Sequence, residues 1–462
     1  MIFKIFPYVI HLQILQQSEY RISSFIKWIL NNFTKRKLEN KKALQFSLKA
    51  KIILSLSIFI SLGLILVFTL LFGVLGLVLG LILSTQTYLF LIIATLIFKP
   101  IEYFARQRIK NSAIKKLNTF DKLTVIGITG SYGKTSVKEF LYAILKTNFS
   151  VLKTPQSYNT VLGISKVIDL ELDESYEYFI CEMAAYKRGE IKELSQMLKP
   201  KHGILTGINE QHLEMFGSLE NTTKAKFELI QAIPSNGFSV INLDNKYIKE
   251  NYEKYNKNYV FYGLGDYDFS AKNIKITEEG SQFDLILNKK IYSCETRLLG
   301  KSQIENIVVA SALAFKLGMN PVKIVAAIKN IRPVPHRLQP KTINNYFVID
   351  DAYNSNITGF KESLYLLQNF ESRTKVIVTP GIVDLGNETL QIHRKLGEVC
   401  DEVCDLIILV GKSERTKGLE AGVKNKNKVK SINTIADLWP TLDDMKLEDP
   451  VVLMENDLPD NY

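Results

Sequence analysis

The hydrophobic pattern changes period along the chain. Residues 52–98 form one apolar run without a charged side chain. As a single helix the run would reach roughly 70 Å, against a hydrocarbon core of about 30 Å. The pattern therefore predicts a transmembrane helical hairpin, with helices near residues 52–73 and 77–98. The turn falls around residues 73–80 or at residues 84–87. Before the run, residues 1–33 mix aromatics with scattered charges, as in "QQSEYRISSFIKWILNNF". Tyr20, Phe25, Trp28 and Phe33 suit either an interfacial helix or a loosely packed leader. Residues 99–117 read as a basic, helix-compatible linker.

From Lys122 the texture changes. β-Branched runs such as "LTVIGIT", "YEYFICEM", "HGILTGI", "FSVINLD" and "NYVFYG" alternate with helical patterns, among them residues 137–146 and 222–232. That alternation predicts an α/β domain with a mostly parallel sheet. Residues 268–298 alternate with period two and predict an antiparallel insert or edge. "IRPVPHRLQP", residues 331–340, is Pro-rich and predicts a hinge. After it, "YFVIDDAYN", "KVIVTPG" and "DLIILVG" predict a second, smaller α/β domain of Rossmann-like type. The expected division is 1–51, 52–98, 99–117, a central domain over 118–333 and a C-terminal domain over 334–462. No internal repeat or low-complexity segment is present.

Charge sharpens the picture. Residues 1–117 hold 16 Lys+Arg against 3 Asp+Glu, and the remainder holds 42 against 44. The formal +11 of the chain thus belongs to the flanks of the apolar run. Basic residues on both flanks place both on the cytoplasmic side, giving a two-span protein of the cytoplasmic membrane in contact with lipid, its remaining domains cytoplasmic. No basic patch is left to suggest nucleic acid. The apolar run starts too late and runs too long for a cleaved signal peptide. Cys181, Cys294, Cys400 and Cys404 form no Cys-x-x-Cys pair and read as buried thiols.

The chemistry begins at "GSYGKTS", residues 130–136, which follows a strand and opens a helix. Backbone N–H groups at a helix N-terminus bind phosphate, glycine permits close approach, lysine adds a point charge and a hydroxyl reaches magnesium. Gly130, Ser131, Gly133, Lys134, Thr135 and Ser136 are thus expected to hold nucleotide phosphates. The loop is compact, Gly-x-x-Gly-Lys-Thr, with Ile128 where the eight-residue form has glycine. Two further groups follow in order. Glu182 ends an apolar strand in "ICEMAAYKRGEI". His212 and Glu214 stand in an expected loop before Lys226 in "NEQHLEMFGSLENTTKAKFELI". Carboxylate and imidazole at strand ends beside a phosphate loop suit magnesium.

With these stretches, "GKSQIENIVVASALA" and "HRLQPKTINNYFVIDDAYNSN", the sequence resembles the Mur ligases, ATP-dependent amide-bond-forming enzymes of peptidoglycan synthesis. The resemblance covers about residues 118–462. It is strongest to the member that adds D-alanyl-D-alanine to a UDP-N-acetylmuramoyl tripeptide. It implies ATP and Mg2+, an acyl-phosphate route, a muramoyl-peptide or related carboxylate substrate, an amino-acid or dipeptide amine, and wall-synthesis partners. It also implies roles. Lys134 would hold the β/γ-phosphates. Thr135, Glu182, His212 and Lys226, the last as a carbamate, would bind magnesium. Asn306 would contact adenine, Arg337 would lie near the γ-phosphate, and Asp351 near the ribose. Thr154, Asn159 and Thr160 would meet the substrate's sugar-phosphate side. Asn354 and His393 sit in matching stretches, Asn354 on the substrate side.

Three departures accompany the resemblance. A membrane hairpin stands where the family's UDP-sugar domain is usual. Ser302 and Gln303 replace the His and Asn of the helix motif Gly-x-His-Asn-x-x-Asn. The last stretch, "VVLMENDLPDNY", lacks the common Lys-Gly-Ser-Arg. A Mur-like ligase for a lipid-linked or poly-amino-acid acceptor, and a non-catalytic nucleotide-binding scaffold, stay open as alternative readings.

Overall fold

The computed structural model describes residues 7–18, 20–32, 44–155, 158–209, 216–255, 257–353, 356–383 and 385–456. The chain divides into two compact units, Met1–Ile109 and Lys110–Tyr462.

The first unit is helical. Two short helices, Tyr8–Gln17 and Ile22–Asn32, precede two long ones, Leu48–Ser84 and Thr87–Leu117. The first long helix is broken at Gly73, whose φ of 57° and ψ of −136° leave the helical region. Beyond it, Gly76 and Gly80 pack so closely on Phe68 and Ile65 that neither has room for a Cβ. The chain therefore reverses at Gly73, the first of the two expected turn positions. The second is a break between helices within the returning arm. At the foot of the hairpin Lys49 pairs with Glu102 at 2.6 Å, and Ala50 and Ile53 cluster with Leu91 and Ala94.

Small residues face inward along the hairpin: Ser57, Ser61, Gly76, Gly80 and Ser84 are buried. Phe59, Leu62, Leu70 and Val74 point outward. A water-soluble helix pair has the opposite pattern, whereas helices packed in lipid approach through small residues. Both helices are long and apolar enough to cross a membrane. Leu12, Leu15 and Phe25 are buried, so Tyr8–Gln17 and Ile22–Asn32 are packed helices rather than a loose leader. Phe33 lies outside the described residues.

The second unit holds two sheets. The nine-stranded sheet has the order β2-β3-β1-β4-β5-β6-β7-β8-β9. Its parallel part comprises β1 (Thr124–Thr129), β2 (Val151–Lys153), β3 (Tyr178–Glu182), β4 (His202–Leu205), β5 (Phe238–Asn242) and β6 (Tyr259–Tyr262). β7 (Phe269–Thr277) joins β6 parallel, and β8 (Gly280–Leu287) and β9 (Lys290–Thr296) continue antiparallel. The period-two segment is thus an antiparallel edge of the same sheet.

Helices Lys134–Leu145, Lys301–Lys316 and Pro321–Lys329 bury Phe140, Ile144, Ile307 and Leu313 on one face. Helices Val161–Glu171, Glu190–Leu198 and Leu219–Ala232 bury Ile164, Leu194 and Leu229 on the other. The predicted α/β class with a parallel sheet is found, wound on both faces.

The second sheet has six strands, ordered β10-β11-β15-β12-β13-β14. β10 (Gln339–Ile343) runs antiparallel to β11 (Tyr346–Asp351). β12 (Thr374–Thr379), β13 (Leu406–Val410), β14 (Val429–Ile432) and β15 (Pro450–Glu455) complete it in parallel. Between the sheets, residues 331–338 lack regular structure. His336 (φ 58°) and Leu338 (φ 47°) take left-handed backbone there. All four cysteines are free and buried.

Candidate active site

In the nine-stranded sheet β1 pairs with β3 on one side and β4 on the other. The chain leaves β1 for β2 and β3 and returns to β4 across it, so the loops after β1 and β4 diverge and open a crevice at the carboxyl edge. Ligands of open α/β sheets bind at such a switch point. Register sets Ile128 opposite Glu182, so the carboxylate stands beside the start of the Gly-rich turn.

The turn itself is shaped by its glycines. Gly130 (φ 154°) lies so close to Thr206 Oγ1 that a Cβ would collide with it. Gly133 (φ 76°) is the left-handed N-cap of helix Lys134–Leu145, and a Cβ there would crowd Asn306 Oδ1. Ser131 N donates to Gly207 O at 2.7 Å, tying the turn to the segment after β4. The Lys134 ammonium donates to Gly130 O at 2.8 Å and Ser131 O at 3.2 Å. Burial pushes its pKa down, with Glu182 opposing and Arg337 reinforcing the shift.

Glu182 is the hub of the crevice. Thr135 Oγ1 donates to its Oε2 at 3.0 Å, and Lys138 Nζ reaches the same oxygen at 3.3 Å. Asn159 Nδ2 donates to Oε1 at 3.2 Å. Glu182 N donates to Thr154 Oγ1 at 3.1 Å. Burial raises the pKa of this carboxyl, but Lys138, Lys134 and the side-chain donors outweigh it and hold the group below its ordinary value. Lys138 was not among the residues singled out from sequence. Its signal was its place four residues after Lys134, on the same helix face.

One cavity of about 160 Å3 brings together the turn, Thr135, Asn159, Glu182, Lys226 and Arg337. Lys226 is buried and its ammonium lies 5.6 Å from the Phe216 ring. Burial, reinforced by the charge of Lys134, lowers its pKa to about 7. The Arg337 guanidinium lies over the Tyr353 ring at 4.3 Å. A neighbouring cavity of about 90 Å3 joins Ser136, Ser302, Gln303, Asn306, Arg337 and Asp351. Asp351 Oδ1 accepts from Leu338 N at 3.1 Å. Burial raises its pKa to about 6 against the pull of Arg337. Glu305, also in this cavity, is raised to about 7 by burial although Asn242 donates to it at 2.9 Å.

Not every expected residue joins these cavities. Thr160 caps helix Val161–Glu171 through a bond from Gly163 N and lines neither cavity. His393 is buried on helix Thr389–Val403, where its Nε2 accepts from Ile382 N at 2.8 Å. His212 and Asn354 lie outside the described residues, as does Glu214.

Two family models match: the Mur ligase middle domain over residues 128–314 and the Mur ligase glutamate ligase domain over residues 336–454. The UDP-N-acetylmuramoyl-tripeptide--D-alanyl-D-alanine ligase of Escherichia coli is 30% identical over 304 residues, which are 65% of this chain and 67% of that protein. This chain belongs to the Mur ligase family. By that membership it is an ATP-dependent ligase. Solved Mur ligases agree in fold. MurF from Acinetobacter baumannii is similar with a TM-score of 0.69 at 25% identity, covering 76% of this chain and 77% of that one. MurF from Thermotoga maritima, solved in complex with ADP, gives 0.68 at 25% identity, covering 76% and 80%. The matches span about two thirds to four fifths of those proteins' lengths. The matched family domains begin at residue 128, so the hairpin lies outside them.

Proposed function

We propose that this Mur ligase adds D-alanyl-D-alanine to a UDP-N-acetylmuramoyl tripeptide, using ATP, at the crevice around Glu182. The convergence of Lys134, Thr135, Glu182, Lys226 and Arg337 on one cavity carries the reading. A carboxylate oxygen of the acceptor attacks the γ-phosphorus, ADP leaves, and an acyl phosphate forms. The dipeptide amine then attacks the acyl carbon, phosphate leaves, and the nitrogen loses its proton. Charge on the transferring phosphoryl group demands positioned cations. Lys134 supplies one at the β/γ-phosphates and Arg337 a second. Gly130, Ser131, Gly133, Thr135 and Ser136 surround the phosphates. Asn306 and Asp351 receive adenine and ribose.

The donor set fits Mg2+. A hydroxyl and a carboxylate, Thr135 Oγ1 and Glu182 Oε2, stand together at the phosphate turn, and hard oxygen ligands of this type suit the ion. Thr135, Glu182 and His212 would hold it, together with Lys226 as a carbamate. The ion would neutralise phosphate charge. Lys226 is suited to carbamylation because its buried amine is half neutral near pH 7, and the neutral form attacks carbon dioxide.

Thr154, Asn159, Thr160 and Asn354 form the acceptor side. Thr154 and Asn159 bond to Glu182, so contact there would reach the metal-binding carboxylate. The two apolar helices anchor the enzyme in the cytoplasmic membrane, with lipid around the outward Leu and Phe side chains.

Phosphate release by the detergent-solubilised protein tests this reading. Turnover should require ATP, magnesium, UDP-muramoyl tripeptide and D-alanyl-D-alanine together, and Lys134→Ala should abolish it. Turnover with another acceptor alone would replace the substrate. ATP binding without acceptor-dependent turnover would favour a scaffold.

A further inference from the structure

Thr154 turns inward to Glu182, while its neighbours Lys153 and Pro155 line a third cavity, of about 980 Å3. Its charged lining is Lys146, Lys153, Lys323 and Arg332 against Glu139. Lys153 and Lys146 gather at one ring, their ammonium groups 4.4 and 5.1 Å from the centroid of Tyr142. Lys153 also pairs with Glu139. Lys323 donates to the neutral Asn148 Oδ1 at 2.6 Å. Neither Lys146 nor Arg332 meets a carboxylate among the described residues.

Three positive charges are therefore in excess at one cavity. This is not a consequence of bulk composition, since residues 118–462 carry 42 Lys+Arg against 44 Asp+Glu. Like charges held together repel unless an anion lies among them. A lysine and arginine set of this kind matches phosphate oxygens. The volume admits far more than a single small ion, and the rim is one residue from Thr154.

We propose that this cavity binds the diphosphate that joins the muramoyl acceptor to its carrier. The inference rests on the acceptor reading given above. Nucleotide and lipid carriers share this diphosphate chemistry.

Equilibrium dialysis of the full-length protein in detergent tests it, with saturating ADP filling the phosphate turn. The probes are inorganic diphosphate, UDP and farnesyl diphosphate. Binding should weaken with added salt. The double variant Lys323→Gln/Arg332→Gln should weaken it about tenfold or more, as loss of charge-assisted bonds implies. Its ADP affinity and thermal melt should stay unchanged, and Arg332→Lys should retain most of the binding. Tighter binding of UDP assigns a nucleotide carrier, and tighter binding of farnesyl diphosphate a lipid one. Absence of binding, or binding untouched by the double variant, overturns the proposal.

Kinetics separate it from the reading beneath it. The double variant should raise the acceptor KM about tenfold with kcat and the ATP KM nearly unchanged. Turnover with an unaltered acceptor KM would remove the cavity's role and leave the ligase reading intact. Absence of turnover with any muramoyl acceptor would remove that reading, and dialysis would still decide whether the cavity binds diphosphate.

Discussion

Lys138 meets Glu182 at 3.3 Å with its side chain wholly enclosed. It also lies 3.8 Å from Glu139. A buried ammonium in this position fixes one carboxylate oxygen and keeps the group ionised beside the Gly-rich turn. Removing one partner of a buried pair costs about 3–5 kcal/mol. Lys138→Met should therefore lower thermal stability markedly. Glu182 is depressed in the folded protein, so the stability it contributes is present above its unfolded pKa and lost as pH falls. Without Lys138 its pKa should rise, moving the acid limb of the kcat/KM profile to higher pH. An unmoved limb would show that Lys138 does not hold the carboxylate's charge.

Lys226 gives a second pH signature, centred nearer neutrality. Its amine is lowered to about 7, by burial first and by Lys134 second. The neutral fraction grows as pH rises through that value. At limiting bicarbonate, turnover should increase between about pH 6 and pH 8, and labelled bicarbonate should give a carbamate signal by carbon NMR. Lys226→Ala should abolish both. Turnover indifferent to bicarbonate would leave Lys226 as an ordinary buried amine.

Glu305 should act on stability. Burial raises it to about 7 from 4.5, so the folded chain binds the extra proton between those values. Stability from this group is full below the unfolded pKa and lost as pH rises through the folded one, a penalty of about 3 kcal/mol above pH 7. Glu305→Gln keeps an oxygen to accept from Asn242. Its melting temperature should exceed that of the parent at about pH 8, and the gap should close toward pH 4.5. A constant gap across the range would contradict the assignment.

Gly133→Ala tests the turn. The backbone there is left-handed, and the new methyl would press on Asn306 Oδ1. Strain of this kind costs about 1–3 kcal/mol, so calorimetry should find ADP bound roughly tenfold or more weakly. Unchanged affinity would remove the turn from the nucleotide site.

The hairpin predicts behaviour in membranes. Alkaline carbonate washing should leave the protein in the pellet, and detergent should release it. Release by carbonate alone would show a peripheral protein.

Much of this was legible because the signals are local. A charge-free run too long for one span implies a reversal, and glycine marks where it can occur. Strand–turn–helix punctuation located the Gly-rich turn, since Gly130, Gly133, Lys134 and Thr135 stand within one short segment. Order along the chain tied Glu182 and Lys226 to that turn through the family's pattern.

Other features depend on residues far apart in sequence. Lys138 carries no motif in sequence, and only the packing of its helix against β3 encloses it beside Glu182. Thr160 stands in the expected substrate loop, and only the start of helix Val161–Glu171 gives its hydroxyl a capping bond as well. His393 stood in a matching stretch, but its ring, buried on helix Thr389–Val403, accepts the backbone N–H of Ile382.

The sequence by itself determined the α/β class, the hairpin, the Gly-rich turn and the family, because each is written in short-range periodicity or ordered motifs. Tertiary structure decided which side chains share a cavity and which charges are buried together. Those depend on strand register and desolvation, which arise only when the sheet pairs β1 between β3 and β4.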